Sequence, residues 1–206
     1  MAVGRGVCQA TGHHGPRHPQ RARGRRERPA GRGDGGRPDR RRRARALVRE
    51  AGITVVSNPH ISLVLAGRAD REPVPRGITR IRELLAAGVN VASGQDDVKD
   101  PSHPLGRGSQ LEVALFMAHT AHLTHPPELD RVLAMVTTNA ARALRLPDYG
   151  VAPGARADVN VWRASNVQDL LRLQEPPRHV VKGGRVVASW TVACARRWET
   201  PPPSTA

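Results

Sequence analysis

Apolar positions recur along the middle of the chain with two different periods. Arg43 to Ala51 has a short helical pattern that ends at Gly52, a residue suited to the left-handed position after a helix. Ile53 to Ser57 then reads as a buried strand closed by Asn58-Pro59, and Gly67 to Arg76 as a loop rich in charge and proline. Thr79 to Ala87 is predicted as a helix, with Ile78, Ile81, Leu84 and Leu85 on one face and Gly88 as its stop. Val89 to Gly94 is a second strand. Strand, helix and strand in succession predict parallel β/α units.

Three more helices are predicted downstream. Ser109-Gln110-Leu111-Glu112 matches a capping box and starts one that runs to about His122. A second follows Pro126-Pro127 with Leu129, Val132, Leu133 and Val136, and a third spans Asn139 to Leu144. The period then changes. Asp158 to Trp162, Val180-Val181 and Arg185 to Ala188 read as short strands separated by Gly/Pro turns, a small β unit. The tail from Thr191 should fray.

Composition changes the picture at the N-terminus. Residues 1–45 contain no Leu, Ile, Phe, Trp or Tyr, and Arg, Gly and Pro make up 27 of the 45. Such a segment buries too little apolar surface to offset its chain entropy, so it is expected to be disordered. It also holds 14 arginines against three acids, which places +11 of the chain's net charge of +15 there. Three readings stand beside each other. It is a basic arm for phosphate backbones, although without an aromatic residue to stack on bases. It is a solvated tail. Or it is an out-of-frame stretch of GC-rich DNA, which translates mainly to Arg, Gly, Pro and Ala. Reading the other two frames upstream of residue 46 tests the last.

Cys8 and Cys194 are the only cysteines, which excludes a disulfide framework and a cysteine-based zinc site. No apolar stretch reaches membrane-spanning length and no signal-peptide core is present, so the expected compartment is the cytoplasm.

Candidate chemistry centres on Val89-Asn90-Val91-Ala92-Ser93-Gly94-Gln95-Asp96-Asp97. β-branched and small residues run into two adjacent carboxylates, as at a buried strand that ends in a polar site. A carboxylate at the C-terminal end of a barrel strand is where β/α enzymes hold metals and move protons; the alternative is a turn closed by aspartate. His60, just past Asn58-Pro59, and His103, after the aspartate pair, are pocket candidates set against ordinary loop histidines. His119, His122 and His125 share a helical spacing, but as surface or packed residues. Asp100 is read as a loop cap, and Gly154 and Gly183-Gly184 as turn residues.

The order of several short motifs is more specific than any one of them. Gly77-Ile78-Thr79-Arg80, Gly94-Gln95-Asp96-Asp97-Val98-Lys99-Asp100-Pro101 and Pro104-Leu105-Gly106 resemble the cytosine deaminase branch of the amidohydrolase superfamily. Thr137-Thr138-Asn139-Ala140-Ala141-Arg142-Ala143-Leu144, Asp148-Tyr149-Gly150, Pro153-Gly154-Ala155-Arg156-Ala157-Asp158 and Lys182-Gly183-Gly184-Arg185-Val186-Val187 continue the likeness, over residues 44–190. The resemblance implies the C-terminal portion of a TIM (β/α)8 barrel. Ile53–Asn58 would be strand seven and Val89–Gly94 strand eight, across residues 46–150, with part of a small β-sandwich at 151–190 and loose ends at 1–45 and 191–206.

It also implies one divalent metal ion, Fe or Zn, and hydrolysis of a C–N bond of a cyclic amidine or amide by metal-bound hydroxide. Asp96 takes the position of the metal-contacting aspartate that accepts and returns a proton. Asp97 takes that of the neighbouring acid shaping the substrate pocket. Gln95, a substrate-binding candidate, stands where the cytosine enzyme commonly has histidine, and Ser102 where it has an aromatic residue, which leaves an amino-triazine or an amide open as substrate.

The family's remaining ligands and catalytic residues lie on strands one, five and six. The strand-six histidine would fall near Arg28-Pro29-Ala30, where there is none, and His13, His14 and His18 lack a strand pattern. The chain is therefore expected to be an inactive fragment that does not retain the metal, and the unpaired edge of strand seven is expected to favour self-association. The alternative function is a non-catalytic, Arg-rich nucleic-acid-binding protein.

Overall fold

The computed structural model describes residues 7–10, 37–69, 77–101 and 103–191, with the side chains of 7–10 and 37–39 left aside. It contains two three-stranded sheets. In the first, β1 (Val7–Ala10), β2 (Thr54–Ser57) and β3 (Asn90–Ser93) lie side by side and parallel. The register pairs Val7 with Thr54 and Thr54 with Asn90, and runs to Ala10, Ser57 and Ser93 at the far end. All three strands thus finish at the same edge. β3 is buried on both faces along Val91–Ser93 and β2 is buried except at half-buried Val56, in keeping with parallel strands covered by helices.

Helices α1 (Arg37–Glu50) and α3 (Ile81–Ala86) lead into β2 and β3 through the same turn. Gly52 and Gly88 sit in the left-handed region at φ 64° and 73°. The amides that follow reach back into the helix, Ile53 to the Val48 carbonyl at 3.1 Å and Val89 to the Leu84 carbonyl at 3.0 Å. This is the Schellman arrangement, and a side chain at either glycine would be strained.

The helical layer is completed by α2 (Pro59–Leu65), α4 (Gln110–Thr120), α5 (Pro126–Val136), α6 (Thr138–Ala143) and α7 (Val167–Leu173). Ser109 caps α4, its hydroxyl accepting from the Glu112 amide. The core lies where α3, α4 and α5 close on β3, with α7 packed against α4 and α5. Val91, Met117, Leu123, Val132 and Met135 are essentially inaccessible there, and each contributes roughly 1.5–3 kcal/mol of burial. Asn90, at the start of β3, adds polar ties: its amide donates to Thr54 Oγ1 at 2.9 Å and to the Asn139 carbonyl at 3.1 Å. Asn139 returns a bond to the Val91 carbonyl at 2.9 Å, fastening α6 to β3.

The second sheet is antiparallel, with β4 (Val159–Val161), β5 (His179–Lys182) and β6 (Arg185–Ser189) in that order. Asp158 ties its turn to β4, accepting from Lys182 Nζ at 2.6 Å and from the Gly183 amide at 2.7 Å. Those two bonds hold its carboxyl below the ordinary range. Among the described residues this sheet is a single layer. No helix among them is long and apolar enough to cross a membrane.

Several expectations change. Residues 1–45 are not uniformly without order: Val7–Ala10 is a strand, and α1 begins at Arg37. The average composition hid a short β-tolerant stretch and an Arg/Ala run with high helix propensity. Because β1 pairs along β2, the edge of β2 is covered, contrary to the expected unpaired strand-seven edge. Helices α2 and α7 were not expected: Pro59, read as a strand stop, instead occupies the first helical turn, where it is tolerated. The expected disorder elsewhere in 1–45 and the tail beyond Thr191 lie outside the described residues.

Replacing Met117 by alanine should lower the free energy of unfolding by about 2–5 kcal/mol in urea titrations, because it opens a cavity in the β3 core. Leu105, which is 79% exposed, should tolerate the same change with little loss.

Candidate active site

The carboxyl ends of β2 and β3 are locked to each other through one carbonyl. Ser57 O accepts from the Gly94 amide at 3.2 Å and from Ser93 Oγ at 2.8 Å. Beyond this lock the two chains diverge, Asn58 turning into α2 and Gln95-Asp96-Asp97 into a loop that reaches α4.

Asp96 stands exposed at the start of that loop, in the left-handed backbone region at φ 70°. Aspartate tolerates this conformation better than most residues, yet it is held there and not chosen freely. One of its oxygens, Oδ2, accepts from the side-chain amide of buried Asn58 at 3.1 Å. Asp97 is half-buried; desolvation, followed by the neighbouring Asp100 and Asp96 charges, pushes its carboxyl above the ordinary range.

Gln95 points inward. Its carbonyl oxygen accepts from the Gly108 amide at 2.7 Å, while its amide nitrogen is buried without a hydrogen-bond partner. It thereby pins the far end of the loop. Gly106 is needed beside it, since a Cβ there would lie 2.7 Å from the Asp97 carbonyl and 2.9 Å from Val98 Cα.

His60 and His103 meet on the inner side of the loop, their ring centroids 5.7 Å apart. The His60 ring stacks on Phe116 of α4 at 4.1 Å, and neither of its nitrogens has a hydrogen-bond partner. Burial depresses its pKa, Glu112 opposes that and His103 adds to it. His103 is anchored by its own amide, which donates to Asp100 at 2.7 Å, and its Nδ1 lies 3.3 Å from the Asp97 carbonyl. Asp100 therefore caps the loop as the sequence suggested.

The structure thus groups the five candidates in two ways. Asp96 and Asp97 stand on the loop, Asp96 toward solvent, while Gln95, His60 and His103 are buried behind it. His119, His122 and His125 are exposed at the end of α4 and the start of α5. Ser102 lies outside the described residues. Asn58, Glu112 and Phe116 were missed. Asn58 had one readable signal, a polar amide at the end of an apolar strand.

Comparisons with known proteins identify the family to which the chain belongs. The amidohydrolase family model matches residues 5–188. The chain belongs to the amidohydrolase family. It is 36% identical over 143 residues to a pterin deaminase of Rhizobium rhizogenes, which covers 68% of this chain and 32% of that protein. The structure of 5-methylcytosine deaminase from Klebsiella pneumoniae, liganded with 5-fluorocytosine, superposes with a TM-score of 0.73 at 35% identity. That match covers 78% of this chain and 39% of the other. N-isopropylammelide isopropylaminohydrolase from Burkholderia multivorans follows at a TM-score of 0.62 and 31% identity, over 73% of this chain and 35% of the other. The chain therefore spans about a third to two-fifths of the length of these relatives. The resemblance to the cytosine deaminase branch is upheld, and the nucleic-acid alternative is left without support.

Two outcomes test the local account. Because His60 is buried and neutral, the unfolded chain takes up the proton first as pH falls below about 6.5. Stability should decline from there to the lowered pKa of the folded state and then level. His60→Leu should flatten that part of the pH profile, and identical profiles would contradict it. Gly106→Ala should cost roughly 1–3 kcal/mol in unfolding experiments, as backbone must move to admit the Cβ.

Proposed function

We propose that the chain carries the last strands of a deaminase-type amidohydrolase that hydrolyses a C–N bond of a small nitrogen heterocycle. In this reading β2 is barrel strand seven, β3 is strand eight, and β1 stands in the place of strand six. The observation that carries it is the presentation of Asp96 at the carboxyl end of β3, exposed and with one oxygen uncommitted to Asn58. Active sites of β/α barrels sit at this end. Relatives named for pterin, 5-methylcytosine and an N-alkylated amino-triazine favour a flat ring bearing an exocyclic amine.

Asp96 fits one ligand position of a divalent site, iron or zinc. Among the described residues, however, no group of three or more His, Cys, Asp or Glu side chains could hold a metal ion, whereas catalytic zinc sites use about three protein ligands. The described residues therefore supply part of a site. A bound metal would supply acidity to a water molecule. Asp96 itself accepts a proton on its outward oxygen and returns it to a departing amine. Asp97, half-buried beside it, can accept a hydrogen bond from a ring N–H or an exocyclic amine. Gln95, His60 and His103 shape the floor of the pocket through the loop they hold.

By itself the chain is proposed to be inactive and not to retain a metal ion, the lone Asp96 making only weak, transient contact with divalent cations. The outer edges of β1 and β3, unpaired among the described residues, are where further strands of the barrel or a second copy would add.

Ammonia release from cytosine, 5-methylcytosine, pterin and amino-triazines, with added Zn2+ or Fe2+, tests the function in this chain fused behind the N-terminal portion of the pterin deaminase it resembles. Activity on at least one ring is expected, and Asp96→Ala should lower kcat about 10²–10⁴-fold. An active protein indifferent to Asp96→Ala would refute the assignment.

A further inference from the structure

We propose that Asn58 is the positioning residue of this site, its buried amide fixing which oxygen of Asp96 faces outward. The inference rests on the reading of Asp96 above and adds a residue that the sequence did not single out. Asn58 is 1% exposed and sits at the junction of β2 and α2. Its Nδ2 donates to Asp96 Oδ2 across 38 positions of sequence. The backbone on both sides of the pair is fixed by the two hydrogen bonds that the Ser57 carbonyl accepts from the Gly94 amide and Ser93 Oγ. Room for the amide is reserved as well, because a Cβ on Gly94 would come within 3.3 Å of Asn58 Oδ1.

The chemistry of the donor matters. An Arg or Lys at position 58 would hold Asp96 equally well but would neutralise it, weakening it as a base and as a ligand for a cation. A neutral amide restrains the carboxylate and leaves its charge intact. With Oδ2 engaged and the backbone held at φ 70°, Oδ1 is the oxygen left for a proton or a metal. Gly94 and Asn58 thus act on the site through Asp96, each without touching the reacting atoms.

The test uses the full 15N-labelled chain and two readouts. First, Asp96→Ala, at an exposed position expected to leave the fold intact, should shift the side-chain amide signals of Asn58. Unchanged signals would overturn the proposal. Second, Mn2+ alone serves as a probe, its paramagnetic broadening of the Asp96 signals being followed in the wild type, Asn58→Ser and Asn58→Asp. Broadening should weaken several-fold in Asn58→Ser. In Asn58→Asp two carboxylates would face each other, and the apparent Mn2+ affinity should rise about tenfold, since added ligand charge tightens divalent binding. That gain requires the side chain at position 58 to face Asp96. Equal broadening in all three proteins would overturn the positioning role. If Asp96 stays sharp in all three while the Asn58 amide still responds to Asp96→Ala, the contact is real, and the reading of Asp96 as a metal-facing carboxylate is what falls.

Discussion

The pairing of β2 with β3, closed at its end by two donors on the Ser57 carbonyl, is the constraint on which the site depends. Side chains alternate along a strand, so a slip of one residue would turn Val91 and Ala92 out of their environments and carry Asp96 away from Asn58. No local sequence preference would bring those two side chains together. Register does it, by ending both strands at one level and sending the following residues into the same small volume.

The two ends of β3 have different characters. At its start and along its length it meets a dense apolar layer, and its one polar residue there, Asn90, has its hydrogen bonds made. At its carboxyl end the rules of a stable core relax. Asp96 and Lys99 have positive φ, and the buried polar atoms of His60, Gln95 and Glu112 lack hydrogen-bond partners. Each such atom costs on the order of 1–3 kcal/mol. Left-handed backbone also occurs at His122, Arg145 and Gln174, but unmet buried polar atoms concentrate at this end of the sheet, as they do at functional sites. The apolar layer beneath offsets their cost.

Much of this was legible along the chain. The runs Ile53–Ser57 and Val89–Gly94 and the glycines at 52 and 88 defined the β/α units, because burial on both faces and a left-handed turn leave strong local marks. Asp96 was legible for the same reason, as a carboxylate at the end of an apolar run. What escaped depended on partners distant in sequence. Val7–Ala10 becomes a strand only by lying along β2, so the surrounding arginines and glycines concealed it. Asn58 looked like a turn residue until the fold placed it on Asp96. Gln95 looked like a pocket residue, yet its oxygen is engaged by the Gly108 backbone. For α7, the cap was present in Asn166 and Asp169, but the helix is too short for its period to stand out.

Native-state hydrogen exchange at the Gly94 amide tests the central claim most directly. If Ser57 O holds Gly94 in the sheet, that amide should exchange as slowly as the buried amides of β3, with a free energy close to that of global unfolding. Exchange as fast as in the loop at 97–101 would contradict the account, because Asp96 would then hang from a frayed strand end with nothing to aim it.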